Sequence, residues 1–342
     1  MIYIKTDMVI NDDGTLLGIL LFLNNLLPFI LFILGCIFLY YSSESFIDKS
    51  ILISHKMRIS PIIIGASVVA LGTSLPELLV SLYSIFSYDD PNNMQNLVSS
   101  SIIIGNILGS NIANIALVVG FCAFLYRVIF ESDVLKDIIF ISFLGIYVLV
   151  CMYFNITINY IHGLLLLSSF IFYFYYLIKN NKSEDEIDDN INFNLIYCVF
   201  IILVSIVGLS LGTNLVVENA LNISKLWGVS ELNIGFSIVA LGTSLPELFT
   251  GLSSIKRKKY NLFIGNIIGS NILNIIFVLG ISSLFSDINV SSSLIDGGSI
   301  IATVFILSHL ILFFNYILKK TVSKISGFLL LLMYFSFLFN LL

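Results

Sequence analysis

Along this 342-residue chain, long runs of Leu, Ile, Phe and Val alternate with short polar breaks, and the spacing predicts about ten membrane-spanning helices. The runs fall near residues 17–43, 60–86, 100–126, 134–153, 160–178, 195–221, 233–255, 261–285, 298–318 and 326–342. A helix needs roughly 20 residues to cross a hydrocarbon layer about 30 Å thick, and most of these runs are long enough. The first is the least sharply bounded, because Asn24, Asn25 and Pro28 interrupt it. The expected fold class is an all-α polytopic membrane protein.

Loop charge supports the same count. If successive loops alternate sides, fourteen of the sixteen Lys and Arg residues share one side, and only Lys5 and Lys225 face the other. The positive-inside rule makes the basic side cytoplasmic and puts both termini outside, in a multi-pass protein of the cell membrane. The acidic stretch at 181–194 reads as a solvated cytoplasmic linker. The first residues, MIYIKTDMVINDDG, carry acids where a signal peptide has positive charge, so the first helix reads as retained.

A repeat organises the whole chain. GASVVALGTSLPE at 65–77 matches GFSIVALGTSLPE at 235–247 at 11 of 13 positions, and GNILGSNIANIALVVG at 105–120 matches GNIIGSNILNIIFVLG at 265–280 at 11 of 16. The expected halves are 1–180, with its repeat at 65–120, and 195–342, with its repeat at 235–280. Five spans per half is an odd number, so the second half enters the membrane from the opposite side. Inverted repeats of this kind are an architecture of secondary transporters, with the site at the repeat interface.

Composition narrows the classes. The chain is 58% apolar and 11% charged, against about a quarter charged in soluble proteins. The net charge of −5 comes without any basic stripe, which argues against nucleic-acid partners. Cys36, Cys122, Cys151 and Cys198 lack CxxC spacing and read as small core residues.

The polar letters inside the repeats carry the chemistry. Thr73, Ser74 and Glu77 share one helical face, as do Thr243, Ser244 and Glu247. Pro76 and Pro246 offer no N–H to the carbonyls of Gly72 and Gly242, so carbonyls around Ala70–Thr73 and Ala240–Thr243 are partly freed. Ser110 with Asn114, and Ser270 with Asn274, form a second matched pair of polar faces, to which Asn106, Asn111, Asn266 and Asn271 add amides. Such polarity also serves as glue between helices. A carboxylate at mid-membrane costs roughly 2.5–3.5 kcal/mol, and no Lys or Arg lies at that depth, so two of them call for a bound cation. All candidate ligand atoms are oxygens, and His55, His162 and His309 lie outside both motifs. Hard oxygen ligands select Ca²⁺, Na⁺ or Mg²⁺, and two carboxylates with neutral oxygens around them suit Ca²⁺ best. Without the ion the two acids repel, so the empty site calls for protons or Na⁺ instead.

The paired GTSLPE motifs, each followed by GNxxGSNxxN, resemble the two alpha repeats of the cation/calcium exchanger superfamily, in particular its sodium/calcium exchangers. The resemblance implies an antiporter that exchanges Na⁺ for Ca²⁺ by alternating access and needs no cofactor. It implies that Glu77 and Glu247 bind Ca²⁺ centrally and take part in Na⁺ binding, with Thr73 and Thr243 beside them. It further implies carbonyl ligands at Ala70 and Ala240, hydroxyl ligands of flanking Na⁺ sites at Ser74, Ser110, Ser244 and Ser270, and a middle pair at Asn114 and Asn274. One position departs from part of the family: some prokaryotic and potassium-dependent exchangers carry aspartate where Asn274 stands, which weakens the case for K⁺ co-transport.

Three other readings remain open. A Ca²⁺/H⁺ antiporter of the same superfamily uses paired acids as well, although the symmetric serines favour Na⁺. A channel usually gathers its filter between subunits, whereas these acids are duplicated within one chain. A serine protease needs a base near Ser74 or Ser244, and no histidine lies in those spans. Asp48 and Glu218, related by the repeat, read as solvated helix ends, and oligomeric state is left open.

Overall fold

The computed structural model describes residues 14–86, 94–180, 194–226, 242–290 and 298–341. The apolar runs form ten helices: α1 (Gly14–Met57), α2 (Pro61–Phe86), α3 (94–126), α4 (Leu135–Tyr153), α5 (Tyr160–Asn180), α6 (Leu195–Leu226), α7 (Leu245–Lys256), α8 (Tyr260–Phe285), α9 (Gly298–Lys319) and α10 (Lys324–Leu341). Among the described residues, eight of them are long and apolar enough to cross a membrane. The others are α10, whose apolar part runs Lys324–Phe339, and α7, whose expected start at 233 lies outside the described residues.

Burial separates core from periphery. The most apolar 18 residues of α3 and α8 are 89% and 94% buried, whereas those of α1 are 17% buried and those of α6 28%. The motif-bearing helices therefore form the centre, and α1 and α6 lean on it as an antiparallel pair. That pair has a smaller hydrophobic cluster of its own, with Leu39, Phe46 and Ile47 meeting Ile202, Leu209 and Val216, and Ile64 and Val69 of α2 join it. The larger cluster binds α3, α4, α5, α8, α9 and α10. At the centre, α2 and α8 cross backbone to backbone: a Cβ on Gly65 would sit 2.4 Å from the Leu262 carbonyl oxygen, and one on Gly265 2.4 Å from that of Ile62.

Two minimal sheets record the inversion. Val128–Ile129 (β1), after α3, pairs antiparallel with Thr321–Val322 (β4), before α10. Thr157–Ile158 (β2), before α5, pairs with Ile288–Asn289 (β3), after α8. The repeat relation exchanges β1 with β3 and β2 with β4, so each sheet is the other's image. The chain is thus a helical polytopic membrane protein of two inverted five-helix repeats.

The ends of α1, α3, α7 and α9 share a chemistry. Arg58, Arg127, Lys258 and Lys320 take left-handed backbone conformations, with φ of 56°, 56°, 57° and 46°, just past these helices. Positive side chains there complement the negative ends of the helix dipoles. Lys49, Lys179, Lys256 and Lys320 each lie over a tyrosine ring, a pairing suited to the membrane–water boundary.

α1 departs from the sequence expectation. It runs unbroken past residue 43 to Met57, and Pro28 lies inside it. The polar stretch beyond residue 43 stays helical because it has partners: Arg257 pairs with Glu44 at 2.6 Å and Asp48 at 2.9 Å. Asp48, expected to be merely solvated, joins α1 to the end of α7.

Candidate functional site

Each LGTSLPE motif breaks its helix at the serine. Ser74 has φ −88° and ψ 4°, and Ser244 φ −92° and ψ 3°, so the two breaks share one backbone conformation between the helical and extended regions. The helix resumes at Leu75 and Leu245, which puts Glu77 and Glu247 in the first turn of a new helical segment, where the dipole favours negative charge. The segment before the first break is only four residues long, Ala70–Thr73, and is capped by Ser74. The Ala70 carbonyl accepts the Ser74 N–H at 3.0 Å and the Thr73 hydroxyl at 3.4 Å, while Pro76 supplies no N–H to Gly72. Gly72 and Gly242 have a further role: a Cβ would strike Phe46 at one and Val217 at the other, so the glycines let α1 and α6 close over the breaks.

The second motif crosses between repeats. Asn111 Nδ2 donates to the Asn271 carbonyl at 3.1 Å, and Asn271 Nδ2 donates to the Asn111 carbonyl at 3.1 Å. Asn114 Nδ2 donates to Asn271 Oδ1 at 2.8 Å, and Asn274 Nδ2 to Asn111 Oδ1 at 3.0 Å. The hydroxyls of Thr73 and Ser270 lie 3.3 Å apart, and those of Ser110 and Thr243 3.2 Å. Every one of these contacts has an image under the repeat relation. Asn106 instead supports the backbone, donating to the Glu77 carbonyl at 3.0 Å, and Asn266 donates to Thr250 Oγ1 at 3.2 Å.

What this network leaves unpaired defines the site. Glu77 and Glu247 are 0% exposed, and both oxygens of each carboxylate lack a hydrogen-bond partner. Ser74 Oγ, Ser244 Oγ, Asn114 Oδ1 and Asn274 Oδ1 are buried and unpaired as well. The amides spend their N–H groups on the opposite repeat and keep their oxygens free, which suits a cation and not an anion. Ser110 flanks Glu77, Thr73 and Ser270 flank Glu247, and the two carboxylates lie close enough to repel each other. A buried polar group without a partner costs about 1–3 kcal/mol, more if charged, so eight orphaned oxygens arranged in matched pairs mark a place built for a ligand.

Of the residues singled out in the sequence, Thr73, Ser74, Glu77, Ser110, Asn114, Thr243, Ser244, Glu247, Ser270 and Asn274 converge here. Ala70 is buried one turn before Ser74, its carbonyl accepting from Ser74 and Thr73, and Ala240 lies outside the described residues. Among the described residues, three π-helical turns at Gly65–Val69, Ala113–Val119 and Asn274–Leu279 had no mark in the amino-acid letters. Such turns concentrate at functional sites, and the second contains Asn114 while the third begins at Asn274. Asn111 and Asn271 were legible only as extra amides, yet they orient the middle pair.

Fold and cage together define a polytopic membrane protein of two inverted repeats with a buried set of unpaired oxygens between them. The family described as sodium/calcium exchanger protein matches residues 27–179 and 197–342, and the chain belongs to it. An uncharacterized membrane protein of Methanocaldococcus jannaschii is 35% identical over 74% of this chain and 80% of its own length. A sodium/calcium exchanger of Methanosarcina acetivorans, MaX1, is 28% identical over 77% and 84%. The solved structure of the sodium-calcium exchanger NCX_Mj soaked with 10 mM Na⁺ and zero Ca²⁺ superposes with a TM-score of 0.74 at 30% identity, covering 91% of this chain and 98% of that one. The chain is a membrane antiporter of this family and not an enzyme.

Proposed function

We propose that this antiporter exchanges Na⁺ for Ca²⁺ across the cell membrane. The observation that carries the reading is the set of eight unpaired oxygens, four from carboxylates, two from hydroxyls and two from amides, all in pairs related by the repeat. Ca²⁺ takes six to eight oxygen ligands, and two carboxylates neutralise its charge. Glu77 and Glu247 are its central ligands, with Thr73 and Thr243 beside them. Ser74, Ser110, Ser244 and Ser270, with the carbonyls of Ala70 and Ala240, complete flanking Na⁺ sites, and Asn114 and Asn274 occupy the middle. Hydroxyls in the cage favour Na⁺ over H⁺ as counter-ion, because a proton on a carboxylate needs no cage. Two central acids with Asn at 274 argue for exchange without K⁺. The names of several relatives, which include sodium/calcium exchangers, agree with this reading.

The site is closed over in this structure, with Ser74 and Ser110 4% and 1% exposed. Alternation follows from movement of α1 and α6, which share a small core of their own, across the breaks at Ser74 and Ser244. The two halves, 1–180 and 195–342 with the linker 181–194 between them, then exchange roles. The basic loops face the cytoplasm and both termini lie outside. In agreement with that topology, β1 pairs with β4 and Arg257 with α1, which gathers the loops after α3, α7 and α9 at one end. The test is isotopic Ca²⁺ uptake into proteoliposomes at fixed pH under imposed Na⁺, K⁺ and pH gradients. An outward Na⁺ gradient should drive uptake; uptake driven by a pH gradient alone would assign the counter-ion to H⁺.

A further inference from the structure

One buried acid plays no part in the cage. Asp137, in the first turn of α4, is 5% exposed, and its Oδ1 has no hydrogen-bond partner. The nearby charges do not satisfy it. Asp133 is committed to the Tyr316 hydroxyl at 2.6 Å and the Leu135 N–H at 3.2 Å. Lys136, its chain neighbour, is turned about 100° around the helix and is not ion-paired to it. Beside Asp137 opens a cavity of about 330 Å³ between α4 and α5, walled by Phe140, Tyr173 and Tyr176, with Ser169 and Lys136 at its edges. That volume lies within the range of small-molecule sites, about 300–1,000 Å³.

The lining selects the ligand. A Ca²⁺ or Mg²⁺ ion takes six or more oxygens, and this cavity offers few. A primary ammonium needs acceptors and tolerates ring faces: Asp137 Oδ1 is unpaired, and the rings of Phe140 and Tyr173, stacked at 5.8 Å, supply π surface. Ser169 gives its own proton to the Leu166 carbonyl at 2.6 Å, which leaves its oxygen as an acceptor. The surroundings select the source. Phe172, also in the lining, is 72% exposed on the lipid-facing side, and the cavity lies near the end of α5 that carries Lys179, at the depth of headgroups. Exposed Lys136 stands where the phosphate of such a headgroup would follow its amine.

We infer that this cavity binds the headgroup of an aminophospholipid, its ammonium on Asp137 and its phosphate on Lys136, in the leaflet bordering the basic loops. A separate narrow crevice shares Asp137 and Tyr173 with this cavity and is lined on its other side by Ala66, Ile264 and Gly265, at the crossing of α2 and α8. The test needs no transport and no Ca²⁺ or Na⁺: the purified, delipidated full chain is offered phosphatidylethanolamine, phosphatidylcholine or free O-phosphoethanolamine, and retained ligand is read by native mass spectrometry. One phosphatidylethanolamine should be retained roughly tenfold better than phosphatidylcholine, whose methylated ammonium cannot donate to the carboxylate. Asp137→Asn should erase that preference, and Lys136→Gln, at an exposed position, should weaken both lipids alike. Equal retention of the two lipids by the native chain, or a preference that survives in Asp137→Asn, overturns the site. Retention of O-phosphoethanolamine as strong as that of the lipid overturns its assignment to lipid.

Discussion

Replacing Ser74 or Ser244 with alanine should move two quantities in opposite directions. Both hydroxyls are buried, 4% and 0% exposed, and neither has a partner. In the ion-free chain each carries the cost of an unmade hydrogen bond, about 1–3 kcal/mol, so its removal should stabilise the protein by that order. If the same hydroxyl is a Na⁺ ligand, its loss removes a comparable amount from ion binding, which at about 1.4 kcal/mol per tenfold raises the half-saturating Na⁺ concentration between about fivefold and a hundredfold. Alanine also favours a helix slightly over serine. Ser84→Ala is therefore the control, because that hydroxyl already donates to the Ser81 carbonyl at 2.8 Å, and its loss should bring no gain. Thermal unfolding without Na⁺ or Ca²⁺ gives the first quantity, and Ca²⁺ uptake titrated against Na⁺ gives the second. Reduced ion-free stability would mean the hydroxyl is partnered after all. Raised stability with unchanged Na⁺ dependence would mean it faces no ion. The two variants should behave alike, since the repeat makes their surroundings equivalent.

Three further outcomes follow from the same structure. Glu77→Gln or Glu247→Gln should abolish Ca²⁺ uptake while raising thermal stability in ion-free buffer, since each removes a buried, unpaired charge; near-normal uptake in either would refute the central placement. Gly265→Ala should lower the unfolding temperature markedly, because its Cβ would meet the Ile62 carbonyl at 2.4 Å with backbone on both sides, and an unchanged temperature would contradict the tight crossing of α2 and α8. Arg257→Gln breaks partly exposed pairs with Glu44 and Asp48, worth about 1 kcal/mol and weakened by salt. Thiol labelling of Ser50→Cys, in a background without the native cysteines, should then quicken up to about fivefold as α1 loosens, and equal rates would show that the pair does not restrain α1.

The ten helices were legible because lipid demands long apolar runs and loop charge is an independent signal. The inversion was legible because LGTSLPE and GNxxGSN recur at an offset of five spans, an odd number. Pro76 and Pro246 announced the broken helices, but the break falls on the serines, and it gives Glu77 and Glu247 a helix N-terminus that letter patterns do not display. The π-helical turns were invisible, since one extra residue in a hydrogen-bonded ring has no compositional mark. The long α1 was hidden because Glu44 and Asp48 look like a helix end until Arg257, more than 200 residues later, is beside them. The split duty of Asn114 and Asn274, with the amide N–H on the neighbour and the oxygen inward, is a property of the crossing of α3 and α8 and not of either sequence alone.

The most direct measurement of the central claim is the position of a Ca²⁺ ion, or of Sr²⁺ in its place, located by anomalous diffraction in crystals of this chain. The account predicts one ion between the repeats, within about 2.3–2.6 Å of at least one oxygen from each of Glu77 and Glu247. An ion bound elsewhere, with the two carboxylates left unliganded, would contradict it.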